Sequence, residues 1–307
     1  MTTILLGPQR FTTTVGATVR SLGLDGPIAM INSGWEERES EDAELAGHLD
    51  GRGVNLQLYH RMMDVLDKDE HFAAAALLFR DRQDELRTFY GIRLQAAVDA
   101  VHAVAHRSSL HAIGPVAFES AVEAVRDVDA WYAAELADLY RSLRATAPRD
   151  ESGTIGWHRG EIGAVLDGCA GVVIAGGNVR TLLRTLRVFD VAISPDLPVV
   201  AWSAGAMVLT DEVVLFHDYA PHGVTAAEVF DRGLGRLPGI IALPHAKRRL
   251  RLEATDRMQM MVRRFPGRHL TLLDDGAVVR FPSGSSDLPV GARYIAPEGH
   301  VAVVGAA

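Results

Sequence analysis

The segment Val199-Val200-Ala201-Trp202-Ser203-Ala204-Gly205-Ala206 joins an apolar run to a small-x-Ser-x-Gly turn. Such a pattern reads as a buried strand that stops abruptly and runs straight into a helix, the arrangement of a nucleophile elbow. So tight a turn strains the serine backbone and lifts its hydroxyl above the carboxyl edge of a sheet. Only small residues, here Ala201 and Gly205, fit on either side. The N–H of Ala204 and the positive end of the following helix then lie beside the place where an oxyanion would form. The alternative for the same octapeptide is a small-residue helix start with Ser203 as an ordinary N-cap.

A serine hydroxyl is a poor nucleophile near neutral pH and needs a positioned base, itself oriented by a third group. Among twelve histidines, His245 is the best placed. It follows the apolar run Ile240–Leu243 through Pro244 and precedes a helix, so it belongs at the carboxyl end of a strand, where reactive groups of open parallel sheets gather. Its plainer reading is a surface histidine beside a helix start. The orienting acid is Asp274 or Asp275, again at a strand end after Leu270-Thr271-Leu272-Leu273, although two aspartates before a glycine are also common turn formers. A second oxyanion donor is expected from Gly176-Gly177-Asn178, which ends a buried strand and opens a helix with bare amides outward. This turn lacks the full G-x-G-x-x-G and no Walker lysine follows, so no nucleotide or other cofactor is expected. His217, Asp218 and His222 crowd one loop but match no strong zinc template, and no metal is expected either.

These residues need a sheet to position them. Ile4–Leu6, Pro27–Asn32 and Val54–Tyr59 read as strands, separated by helices over Thr14–Leu22 and Asp42–Leu49, which implies parallel βαβ units. From about residue 62 to 144 the strand signal vanishes. Helical spacing dominates, as in Leu94, Val98, Val101 and Val104, with Gly114-Pro115 the only internal stop, and predicts three or four helices. The aromatic stripe Trp131, Tyr132 and Tyr140 reads as core packing. After a polar linker over Ala145–Gly156, the alternation resumes: a helix over Arg159–Leu166, a strand over Gly171–Ala175 and a helix over Val179–Phe189. The elbow strand and strands at Val213–Phe216 and Ile240–Leu243 come next. A long helix over Arg248–Phe265 and short strands at His269–Leu273, Val278–Phe281 and His300–Val304 close the chain. Strands on both sides of the helical block predict one α/β domain over residues 1–307, with a helical insertion at about 62–150.

Composition narrows the function classes. With 307 residues, 48% hydrophobic and 23% charged, the chain resembles a globular enzyme. A net charge of -8 without a dense basic stripe argues against a nucleic-acid partner. No apolar run approaches the roughly 20 residues that span a bilayer, so no membrane partner is expected. The start, Met1-Thr2-Thr3-Ile4-Leu5-Leu6, reads as a first strand and not a signal peptide. The single Cys169 excludes a disulfide framework, and a cytoplasmic location is the expectation.

Three stretches in order carry a resemblance: Gly176-Gly177-Asn178 with Leu182-Leu183, then Trp202-Ser203-Ala204-Gly205-Ala206, then Pro244-His245 with Arg248, Arg249 and Arg251-Leu252. Together they resemble peptidase family S51, the α-aspartyl dipeptidases and cyanophycinases. The resemblance covers roughly residues 1–60 and 155–285. It implies a class I glutamine-amidotransferase-like fold, a flavodoxin-like three-layer sandwich with a mainly parallel sheet. It implies Ser203 as nucleophile, His245 as general base, and the amides of Gly177 and Ala204 as oxyanion hole. Asp274-Asp275-Gly276-Ala277 resembles the cyanophycinase stretch that bears the acid, with Asp275 in its position; the dipeptidase arrangement would instead point to Asp218. The helical insertion is not a feature of either branch, and it is expected to cover the substrate cleft or to mediate a homodimer. His245-Ala246 departs from the His-Phe of cyanophycinases.

The leading reading is therefore a serine hydrolase of small peptides with an aspartyl or isopeptide-linked residue, with Asn178, Arg180, Arg248 and Arg249 as candidate substrate contacts. A glutamine amidotransferase proper would need an elbow cysteine, and Cys169 is in the wrong place. The remaining alternative is a non-catalytic binding or assembly protein of the amidotransferase-like fold.

Overall fold

The computed structural model describes residues 2–107, 111–219, 226–282 and 287–305. In chain order it begins with β1 (Thr3–Leu6), α1 (Val15–Arg20), β2 (Ile28–Ile31), a 3-10 segment (Ser33–Arg38), α2 (Ala43–His48) and β3 (Gly53–Asn55). Three helices follow: α3 (Leu58–Lys68), α4 (Glu70–Ala105) and α5 (Ile113–Thr146). The alternation resumes with α6 (Gly153–Asp167), β4 (Gly171–Ile174), α7 (Val179–Val188), β5 (Val199–Trp202) and α8 (Ala204–Val208). Then come β6 (Glu212–Leu215), β7 (Glu228–Arg232), β8 (Ile240–Pro244), α9 (Ala246–Arg249), α10 (Thr255–Arg264) and β9 (His269–Leu273). The last strands are β10 (Val278–Phe281), β11 (Arg293–Ile295) and β12 (Val301–Val303).

The main sheet has the order β10-β1-β5-β4-β2-β3, parallel except for β10 at the edge. Its central strands are buried on both faces, as parallel sheets require. Leu5, Ala29, Ile31, Val172, Ile174 and Ala201 share one core with Met62, Ile162, Leu182 and Leu186 from α3, α6 and α7. The alternate residues Ile4, Leu6, Met30, Val173 and Val200 pack with Val15, Val19, Leu45 and Leu49 from α1 and α2. Helices on both faces of this sheet make the flavodoxin-like three-layer sandwich. A second sheet, β12-β11-β9-β8, pairs β8 and β9 in parallel. β6 and β7 form a separate antiparallel pair.

α4 and α5 form an antiparallel hairpin, registered by stacking of Tyr90 on Tyr132 (4.3 Å) and by Phe79 against Tyr140 (4.7 Å). The aromatic stripe thus packs inward. Tyr132 donates to the Phe230 carbonyl and the Tyr90 hydroxyl accepts from Val229 N, which docks the hairpin on β7. Arg264, only 3% exposed, makes two 2.6 Å bonds to Asp129 and one to Tyr90, joining the hairpin to α10.

Several expected boundaries move. The strand expected over Val54–Tyr59 ends at Asn55, and Leu58 already begins α3. Gly114-Pro115 is no stop, because it lies in the first turn of α5, where proline costs no intrahelical bond. The linker shrinks: α5 runs to Thr146 and α6 starts at Gly153, with Ser152 capping Ile155 N. The long helix over Arg248–Phe265 is two helices, since Leu250 turns extended and Asp218 takes the Arg251 N–H. β7 and β11 carry too few apolar residues to have been read as strands. Among the described residues, no helix is long and apolar enough to cross a membrane.

Candidate active site

Ser203 stands between β5 and α8 with φ 52° and ψ -123°, a conformation that L-residues rarely adopt. Tertiary crowding holds it there. A Cβ on Gly205 would lie 2.3 Å from the Ile174 carbonyl oxygen, and one on Gly176 would lie 2.8 Å from Ser203 Cβ. Ser203 makes no side-chain cap of α8, so its hydroxyl is left for other work. It lies 3.4 Å from His245 Nε2.

His245 follows β8 in the second sheet and is left-handed, at φ 58° and ψ 32°. Its N–H donates to the Leu273 carbonyl at 3.0 Å, tying the ends of β8 and β9 together. The β9–β10 connection in turn meets the main sheet, where Gly7 N donates to Ala277 O at 2.8 Å. The two sheets thus bring hydroxyl and imidazole together. Burial is the largest influence on the imidazole and pushes its pKa below the ordinary value. Arg249 and Arg248 push the same way, while Asp275 and Asp274 oppose them.

The candidate acids differ in their bonds. Asp274 accepts Lys247 N at 2.8 Å on Oδ1 and Arg293 at 2.7 Å on Oδ2. Asp275 accepts Arg248 at 2.6 Å on Oδ2, leaving Oδ1 without a partner among the described residues. Asp218, 1% exposed, is committed to Arg257 and to Arg251 N. Among the described residues, no carboxylate accepts a hydrogen bond from His245. His217 lines the cavity beside Ser203, and His222 lies outside the described residues.

Gly177 adopts φ +116°, and a Cβ there would sit 2.2 Å from the Gly34 carbonyl oxygen, so only glycine fits this contact. Its N–H donates to no described residue, and Ala204, as the first helical residue, has no intrahelical acceptor for its own. Asn178 serves as the N-cap of α7, accepting from Arg180 N and Thr181 N. Its amide donates to Glu36 Oε1 at 2.9 Å, which Thr181 also reaches at 2.6 Å. Sequence reasoning missed Glu36. It sits beyond β2 with φ 59° and ψ -127°, nearly the dihedrals of Ser203. Its place after a parallel strand was the available signal.

Ser203, Gly177 and Ala204 border a cavity of about 280 Å³ with Arg249 and Glu228. Glu228 is paired with Arg87 at 2.9 Å. Arg249 has no carboxylate partner among the described residues, and burial pushes its pKa down. Gly177 also borders a second cavity, of about 530 Å³, reaching Trp202, Trp35 and α1. Of the other expected substrate contacts, Arg180 is paired with Asp84 at 2.6 Å and Arg248 with Asp275. The arrangement can activate a hydroxyl, receive its proton, and offer two amides to an oxyanion beside the Arg249 cation.

The family model for peptidase family S51 matches residues 122–288, more than half of the chain and the stretch that holds Ser203, His245 and both aspartates. Among solved structures, the crystal structure of a peptidase from an acI-B1 Actinobacterium is similar at 12% identity. The match covers 99% of this chain and 95% of that one with a TM-score of 0.48. No curated protein matches the chain.

Proposed function

Because the chain belongs to peptidase family S51, we propose that it is a serine peptidase of small peptides, with Ser203 as nucleophile and His245 as general base. The observation that carries this is the strained serine with its hydroxyl 3.4 Å from His245 Nε2. The lowered pKa of His245 favours the neutral imidazole that a base must be.

Ser203 Oγ attacks the scissile carbonyl and its proton passes to His245 Nε2. The oxyanion is held by the amides of Gly177 and Ala204. As the C–N bond breaks, the imidazolium returns the proton to the leaving amine. Water, deprotonated by His245, then hydrolyses the acyl-enzyme and frees Ser203. Asp275 is the acid of this reading. Its carboxylate keeps one oxygen without a partner among the described residues and favours the imidazolium more than Asp274 does. Asp274 has both oxygens engaged in holding α9 and Arg293. Arg249, which borders the cavity without a carboxylate partner among the described residues, recognises a substrate carboxylate, which favours aspartyl or isopeptide-linked substrates.

The test is labelling by a fluorophosphonate probe followed by turnover of Asp-X, β-Asp-X and N-terminally blocked peptides, with Ser203→Ala as control. Labelling and turnover that both vanish in the variant are expected. A folded protein that neither labels nor turns over any peptide would return the chain to the binding-module alternative.

A further inference from the structure

On the side of α7 facing the helical hairpin lies a cleft of about 290 Å³ that Ser203, His245 and the proposed oxyanion amides do not line. Six arginines line it: Arg80, Arg144, Arg149, Arg180, Arg184 and Arg187. Among the described residues two carboxylates do, and both are spent, Asp231 on Arg187 at 2.7 Å and Asp190 on Arg159 at 3.2 Å. Arg180 is matched by Asp84 and Arg80 by Asp81. Arg149 donates to the Arg187 carbonyl, and Arg144, Arg149 and Arg184 have no carboxylate partner among the described residues.

Arg184 is the central case. Its Nε is shielded from solvent and has no hydrogen-bond partner among the described residues. Burial pushes its pKa down and the charges of Arg80 and Arg180 push further in that direction, against opposing influences of Tyr59 and Glu36. A buried donor left unmade costs free energy that an acceptor would recover. Gln83 supplies a second, independent sign. It is 4% exposed, lines the same cleft, and makes no hydrogen bond to any described residue. The rest of the wall is apolar, with Phe72, Phe79 and Phe230 among the lining residues.

We propose that this cleft binds a small amphiphilic oxyanion, a carboxylate or phosphate carried on a compact apolar body. The Arg184 guanidinium and the Gln83 amide hold the oxyanion and the phenylalanines hold the body. A guanidinium fork suits either oxyanion. Because α4 and α5 form one wall and α7 the other, the occupant would bridge the insertion to the helix that follows the Gly176-Gly177-Asn178 turn.

The test uses the full chain in calorimetry and thermal denaturation with phenyl phosphate and 3-phenylpropionate, against inorganic phosphate and benzyl alcohol. At least one amphiphilic anion is expected to bind and raise Tm, more tightly than inorganic phosphate, with no binding of the neutral alcohol. Arg184→Gln is expected to weaken it at least about tenfold, the scale of one lost charge-assisted bond. Gln83→Leu, which keeps the volume, tests the same site if Arg184→Gln fails to fold. Fluorophosphonate labelling of Ser203 reads the peptidase proposal separately. The proposal is overturned if neither amphiphilic anion binds, if the alcohol binds as well, or if folded variants bind as tightly as the native chain.

Discussion

Replacing Gly176 by alanine tests the Ser203 geometry with a single methyl group. The added Cβ would lie 2.8 Å from Ser203 Cβ and 3.3 Å from Ser203 Oγ. Ordinary contact begins at 3.4 Å, so the serine must yield by about 0.6 Å. Gly205, two residues on, packs so closely on the end of β4 that a Cβ there would lie 2.3 Å from the Ile174 carbonyl oxygen, so the turn as a whole is already crowded. The Ser203–His245 separation is already 3.4 Å, the long end of a useful hydrogen bond. A displacement approaching 1 Å at a reacting group costs on the order of 10²-fold in rate, or about 2.7 kcal/mol. The overpacking itself should cost about 1–3 kcal/mol of stability. The assay is the second-order rate of fluorophosphonate labelling, measured well below the variant's Tm so that folding does not limit it. Gly163→Ala, in α6 with nothing within 4 Å of the new Cβ, is the control and should label at the native rate. Native-rate labelling by a folded Gly176→Ala protein would refute the claim that crowding at this turn aims the hydroxyl.

Further outcomes follow from the same contacts. Since His245 must be neutral to take the proton and its pKa is pushed down, kcat/KM should rise with pH through a range below the ordinary histidine value and level off near neutrality. Arg249→Met removes one of the groups that lower this pKa, so the acid limb should move to higher pH; KM should rise for peptides with a free carboxylate and not for neutral ones. Asp275→Asn should lower kcat by roughly 10³–10⁴-fold if it orients the base, whereas Asp274→Asn should act first on Tm through Lys247 and Arg293. Arg264→Met leaves Asp129, mostly buried, without its cation and should destabilise the fold by up to about 3–5 kcal/mol in denaturant titrations, loosening the hairpin on α10, where the Arg126–Arg263 contacts remain.

Much of the site could be read from the chain because its signals are local. A strand, a small-residue turn and a helix in eight residues mark the bend at Ser203, although the contact that excludes a Cβ at Gly205 is made by the Ile174 carbonyl of a neighbouring strand. The apolar runs ending at Gly176 and His245 likewise announced strand ends. Other features depended on partners distant in sequence. That β8 and β9 form a sheet of their own, tied to the main one through Gly7 and Ala277, left no mark on either strand. The break between α9 and α10 comes from Asp218, some thirty positions earlier, and helical periodicity could not register it. Local sequence therefore determined the strand ends and the bends at Ser203 and His245. Tertiary structure alone decided which carboxylate near the imidazole keeps an oxygen free among the described residues, that Arg249 beside Ser203 has no carboxylate partner among them, and that Glu36 braces the Asn178 turn. Those are questions of through-space distance, and one-dimensional spacing carries no information about them.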